Sequence, residues 1–147
     1  MISHARFGAL RLVQFLPDAE IAQLENWEFM YHLWLGEAVS FSEWLRLENE
    51  PDVLRSLAID FTEFPEQAAR EVLRVIDLPV QRGVALEELR EALGEPVNEH
   101  RFPRAKDRVT YQFVVFGPPR YDVSCTVLDE GGLTYLVVMA PLPKGRG

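Results

Sequence analysis

The sequence predicts a single mixed α/β domain over residues 1–147. Short strand–helix units occupy residues 7–93 and pass into a C-terminal three-stranded antiparallel meander within 94–140, with 141–147 as a flexible tail. Three observations lead there. An apolar triplet recurs at near-constant spacing through the first two thirds of the chain. A helix-start signal opens each interval between triplets. The last third is cut by glycine and proline into runs of strand length.

The triplet consists of two apolar residues flanking one free position, with a third apolar residue three places earlier. It stands at Phe7, Leu10 and Leu12, at Met30, Leu33 and Leu35, at Leu54, Leu57 and Ile59, and at Val75, Leu78 and Val80. Its starts at 7, 30, 54 and 75 are separated by 23, 24 and 21 residues, a period suited to one strand plus one helix. The intervals open at Pro17-Asp18, Ser40, Pro65 and the stretch from Gly83 to Glu87. Apolar residues at helical spacing then follow: Ile21 and Leu24; Phe41, Trp44 and Leu47; Ala68, Val72 and Leu73; Leu86, Leu89 and Leu93. A unit of this size cannot bury its own apolar face, so neighbours must stack.

With these residues in place, Phe7–Leu93 resembles a run of leucine-rich repeats. That resemblance implies stacked strand–helix units sharing one sheet, and whether their strands run parallel stays open. Phe15, Ala38, Thr62 and Gly83 stand where the family usually places Asn or Cys, which implies a distorted stack. A rival reading stays open on the same residues. Trp27–Leu35, Val39–Leu47 and Val53–Phe61 also alternate as strands do, and would form an antiparallel meander.

Beyond the repeats, Ala85–Leu93 is an amphipathic helix stopped by Gly94, with Pro96 soon after. A polar, basic loop runs from Asn98 to Arg108. Three strands are then predicted at Val109–Phe116, Tyr121–Leu128 and Leu133–Ala140. Gly117-Pro118-Pro119 separates the first two, and Asp129-Glu130-Gly131-Gly132 suits a hairpin turn between the last two, because glycine tolerates positive φ. Gly83, the helix Leu86-Glu87-Glu88-Leu89, Leu93-Gly94 with Pro96, the aromatic strand Tyr111–Phe113 and Gly132-Leu133 together resemble one module of the β-lactamase-inhibitor-protein-like group, which includes the SmpA/OmlA lipoproteins. This likeness implies a protein-binding scaffold and brings no catalytic residue with it.

Composition narrows the function. The chain has 15 Lys+Arg against 23 Asp+Glu, a formal net charge of −8, and 48% hydrophobic residues. That balance opposes non-specific nucleic-acid binding, which depends on basic patches, and favours steering toward a basic protein. One cysteine, Cys125, excludes an intrachain disulfide and a thiolate metal cluster; on a strand with Tyr121, Val123 and Val127 it reads as a buried, inert thiol. His4, His32 and His100 share no metal-ligand spacing. No catalytic, cofactor or metal motif is present. The N-terminus lacks a signal-peptide pattern and no run reaches membrane length, so a cytoplasmic protein with no membrane partner is expected.

The surface singled out is the sheet face opposite the repeat leucines. Alternation places Arg11 and Val13, His32 and Trp34, Ala58 and Asp60, and Pro79 and Gln81 there. Arg11, His32, Trp34 and Asp60 are the partner-binding candidates, since tryptophan, arginine and histidine have the composition of an interface. Asp60, Glu63 and Glu66 form an acidic cluster that reads as a solvated strand end. Arg101, Arg104, Lys106 and Arg108 form the one basic concentration, read as a mobile loop. The expectation is a non-enzymatic protein-binding module, of an immunity or inhibitor-like bacterial type, for a basic partner. Open sheet edges also permit a homodimer. The alternative is a small enzyme or ligand-binding protein with a pocket between repeat sheet and meander, using Asp60, His32 and Tyr111.

Overall fold

The computed structural model describes residues 2–10, 20–23, 31–35, 39–43, 53–62, 64–116 and 119–141. Its elements are α1 (His4–Gly8), β1 (Glu20–Gln23), β2 (Tyr31–Leu35), β3 (Val39–Glu43), β4 (Ser56–Asp60), α2 (Glu66–Val75), α3 (Leu86–Leu93), β5 (Asn98–His100), β6 (Arg108–Val115), β7 (Tyr121–Leu128) and β8 (Gly132–Met139). The strands form one sheet in the order β1-β2-β3-β4-β8-β7-β6-β5. Every registered pair is antiparallel.

That pairing settles the strand direction left open and departs from the expectation of repeated strand–helix units, since β1 to β4 follow one another as antiparallel neighbours. The first triplet, expected as a strand, lies across α1, where Phe7 is buried, and Leu10 follows the helix cap; Leu12 is outside the described residues. Ile21 and Phe41, expected on helices, lie on β1 and β3. The fourth triplet begins on the last residue of α2 and continues into a segment that is not a strand. The physical reason is that apolar residues spaced three and then two apart also fit a helix end running into an extended exit. The rival meander reading agrees better: β2, β3 and β4 pair in succession, β3 to β4 through Glu43 opposite Leu57.

Helices α2 and α3 and the C-terminal strands follow the sequence expectation closely. On α2 the buried residues are Ala68, Ala69, Val72 and Leu73, one helical stripe. The helix ends in a Schellman motif: the Leu78 N–H donates to Leu73 C=O (3.0 Å) and the Asp77 N–H to Arg74 C=O (3.1 Å). Asp77 supplies the left-handed residue of that motif at φ 62°. Leu73 and Leu78 are both buried beside it. Helix α3 buries Leu89 and Leu93 and stops at Gly94, φ 88°.

The meander is longer than three strands. Asn98–His100, expected as loop, pairs with β6, and β4 joins β8 from Ser56↔Met139 to Asp60↔Tyr135. Direct hydrogen bonding of β4 to β8 joins the N-terminal strands and the meander into one continuous sheet.

One face of the sheet carries the core. Leu57 and Ile59, Phe113, Val123, Cys125, Val127, Leu133, Leu136 and Val138 all belong to the same buried cluster as Phe7 and the inner residues of α2 and α3. Phe7 meets Tyr121 edge-on at 5.2 Å, and the N-terminal segment is tied down by Ser3 N–H to Ile76 C=O and Leu54 N–H to Gly8 C=O, both 2.8 Å. Tyr121 finds a partner for its buried hydroxyl in His4 Nδ1 at 2.6 Å. The Cys125 thiol is pushed up from its ordinary 9.0 to about 12 by burial, as an inert buried thiol should be.

A close crossing closes the sheet end. Gly83 N–H donates to Leu133 C=O and Leu133 N–H to Val84 C=O, each 2.9 Å. A Cβ at Gly132, φ +73°, would lie 2.1 Å from the Gly83 carbonyl oxygen, so only glycine fits there.

Candidate functional site

The opposite face of the sheet is where the chemistry-bearing residues gather. Strand alternation sends Ser56, Ala58 and Asp60 of β4 to that face, with the register partners Met139, Val137 and Tyr135 of β8. Through β7, β6 and β5 the register continues as one row: Asp60, Tyr135, Thr126, Thr110, His100. Beside it runs Ala58, Val137, Ser124, Gln112, Asn98, where the Asn98 amide donates to Gln112 Oε1 at 3.2 Å. Both rows cross five strands, and the other face of β4, β8, β7 and β6 is core, while β5 is exposed at all three residues.

A β-bulge tunes the first row. Thr126 pairs with Tyr135, while Val127 pairs with Leu133, so Thr134 is the extra residue. The bulge lets Leu133 and Leu136, three apart, both enter the core while Tyr135 emerges on the other side. Thr134 is the one buried polar residue among those described, and its carbonyl accepts the Phe61 N–H at 3.0 Å.

Around the row lies a depression of about 270 Å³, lined by Asp60, Thr62, Phe102, Arg108, Thr110, Thr126, Thr134 and Tyr135. Its floor includes the mutually bonded hydroxyls of Thr110 and Thr126, 2.9 Å apart. At one end, Asp60 Oδ1 accepts both the Thr62 N–H (3.0 Å) and the Thr62 hydroxyl (2.6 Å). Tyr135, 38% exposed, has its phenol raised by burial and then by the Asp60 charge. At the other end Phe102, 46% exposed, stands edge-on to His100 at 4.2 Å.

The loop that carries Phe102 is clamped. Arg101 makes a two-pronged ion pair with Asp129 at 2.9 and 3.0 Å and also donates to the Lys106 carbonyl. Asp129 N–H donates to Asp107 C=O at 2.7 Å. Arg108 is gripped by both Asp107 oxygens, at 3.1 and 3.2 Å. Hydrogen bonding to these arginines holds the Asp129 and Asp107 carboxyls below the usual carboxylate range. Within the basic concentration expected as a mobile loop, Arg101 is paired with Asp129, and Arg108, the first residue of β6, is paired with Asp107.

Of the four residues singled out from the sequence, Asp60 lies in this depression. Backbone register gives His32 and Trp34 of β2 the same alternation phase as Asp60, two strands away through Ser42 and Ser40 of β3. Arg11 is outside the described residues. Pro79 and Gln81, expected on the same face, are instead on the α2–α3 connection and line a groove of about 430 Å³ with Arg70, Arg74 and Glu88 on the helix side. In the acidic cluster, Glu66 pairs with Arg70 at 3.0 Å, Asp60 holds Thr62, and Glu63 is outside the described residues.

The grouping of Asp60 with His32 and Tyr111 fails on geometry. Tyr111 pairs with Cys125 and so belongs to the core-facing phase, opposite to Asp60, and β6 is three strand spacings, roughly 14 Å, from β4. Those two groups cannot share a proton. Among the described residues no group of three or more His, Cys, Asp or Glu converges to hold a metal ion, and no helix is long and apolar enough to cross a membrane.

Sequence reasoning missed Tyr135, Thr126, Thr110, His100 and Phe102. The alternation of β7 and β6 was a signal for the two threonines. The bulge that aims Tyr135 left none. No protein-family model, curated protein or solved structure matches the chain.

Proposed function

We propose that this protein is a non-enzymatic binding module that docks a protein partner on the open face of its sheet, in the manner of an inhibitor or immunity-type protein. The observation that carries the reading is the row Asp60, Tyr135, Thr126, Thr110, His100, with Tyr135 and Met139 exposed on the face opposite α1, α2 and α3. Aromatic and methionine side chains set among short polar groups are what protein interfaces enrich, and a face built on a rigid sheet loses little entropy when it docks. The acidic balance of the chain favours a partner with a basic surface.

Site-specific photo-cross-linking in the native cell tests it. A photoreactive residue replacing Thr126 or Val137 should give a discrete adduct with another protein, whereas one replacing Gln67, exposed on α2, should not. Equal adducts at Gln67, or none at Thr126 and Val137, would overturn the reading.

A further inference from the structure

Resting on that docking reading, we infer that the depression at Asp60 and Tyr135 receives a cationic side chain of the partner, a lysine ammonium or an arginine guanidinium. The carboxylate is half occupied. Asp60 Oδ1 accepts two bonds from Thr62, while Oδ2 has no partner among the described residues. A carboxylate oxygen with no partner among the described residues, held in place by its sibling, is a pre-oriented acceptor for a charge-assisted hydrogen bond.

The ring beside it completes the site. Tyr135 is the direct cross-strand neighbour of Asp60, close enough that the carboxylate charge contributes to raising its phenol. The negative face of a tyrosine ring attracts a cation within about 6 Å, and attracts it more when water is thinned by a concave wall. Thr62, Thr126 and Thr134 line the same space, and a hydroxyl oxygen there can accept from the N–H donors of an ammonium or guanidinium.

Local charge points the same way. The lining and its immediate brace hold two carboxylates, Asp60 and Asp107, against one guanidinium, Arg108, which leaves one negative charge. Arg108 is occupied by both Asp107 oxygens through Nε and Nη2. Arg101 and Asp129 cancel each other. Arg108 lies within electrostatic reach of Asp60 but is hydrogen-bonded to Asp107, so an entering anionic group would meet a net negative lining, and a neutral polar group would leave Oδ2 without a charge-assisted bond. The formal −8 of the whole chain adds a long-range pull on the same sign of ligand.

The test is an amide-resolved NMR titration with three synthetic heptapeptides: lysine-rich, glutamate-rich and serine–glycine. Asp60→Asn, Tyr135→Ala and Tyr135→Phe are run beside the wild type, each first shown to keep the wild-type spectrum. The lysine-rich peptide should shift the amides of Asp60, Thr62, Thr134 and Tyr135. Asp60→Asn and Tyr135→Ala should each weaken it about tenfold, Tyr135→Phe should keep most of the affinity, and salt should compete. Equal shifts with the serine–glycine peptide, or a lysine response that survives Asp60→Asn, would overturn the cation assignment. So would silence of those amides toward the lysine-rich peptide. The docking reading itself stands or falls on the cross-linking at Thr126 and Val137, which uses none of these peptides.

Discussion

On β7 the residues Tyr121, Val123, Cys125 and Val127 are buried, while Asp122 is exposed and Ser124 and Thr126 are half-buried on the other side of the same strand. The same division holds on β4 and β8, so one sheet presents two surfaces of different purpose. The face under the helices is filled by Phe7, Leu57, Ile59, Phe113 and their neighbours, all close to fully buried. The open face carries hydroxyls, the carboxylates of Asp60 and Asp122 and partly exposed rings, and the Asp60 Oδ2 is not matched among the described residues. The comparison teaches that stability and recognition can be separated residue by residue along a strand, because alternation assigns each side chain to one task.

Substitutions on the core side should therefore be costly. Phe113→Ala removes a ring that is 1% exposed and should lower unfolding free energy by about 3–5 kcal/mol in urea denaturation. Gly132→Ala should cost roughly 3 kcal/mol or more, because its Cβ meets backbone at 2.1 Å and no side chain can step aside. A loss under about 1 kcal/mol for either would show that the helix-covered face is looser than its packing implies.

The alkaline limb sharpens the same point. Burial raises Cys125 from 9.0 to about 12 and Tyr121 from 10.0 to about 12. Both folded-state values lie above the unfolded ones, so the folded state keeps protons that the unfolded chain releases. Their contribution is complete below about pH 9 and is lost progressively as pH rises toward 12. Urea midpoints should accordingly fall from pH 9 upward, and Cys125→Ala should flatten the part of that fall nearest pH 9. A midpoint constant from pH 8 to 11 would contradict the burial of both groups.

Smaller effects are expected at the margins. Asp77→Gly should stabilise by about 0.5–1 kcal/mol, since glycine adopts the left-handed cap without strain and removes a negative charge from a helix C-terminus. On the open face, Thr126→Ala should change stability by no more than about 1 kcal/mol, the size of one hydroxyl pair. A thermal-melt comparison of the two variants against wild type checks both signs.

Much of this division was legible in the residues. Helices α2 and α3 carry unbroken apolar stripes with Pro65 before one and Gly94 after the other, and β6 to β8 alternate between glycine and proline breaks. What could not be read was partnership at a distance. Asp60 neighbours Tyr135 only because β4 pairs with β8, far along the chain, and alternation counted from Leu133 would turn Tyr135 inward, which the bulge at Thr134 reverses. The triplet at Val75, Leu78 and Val80 misled for a local reason. A Schellman exit brings Leu73 and Leu78 together, with the same apolar spacing as a strand entered from a helix.

The measurement that tests the account most directly is the shift in urea midpoint caused by the lysine-rich peptide. At ten times its dissociation constant the peptide should stabilise the wild type by about 1.4 kcal/mol. Asp60→Asn, at the same peptide concentration, should gain only about 0.4 kcal/mol while unfolding near the wild-type midpoint without peptide. An equal gain in both proteins, or none in the wild type, would contradict the assignment of the depression at Asp60 and Tyr135 as a site for a cationic side chain.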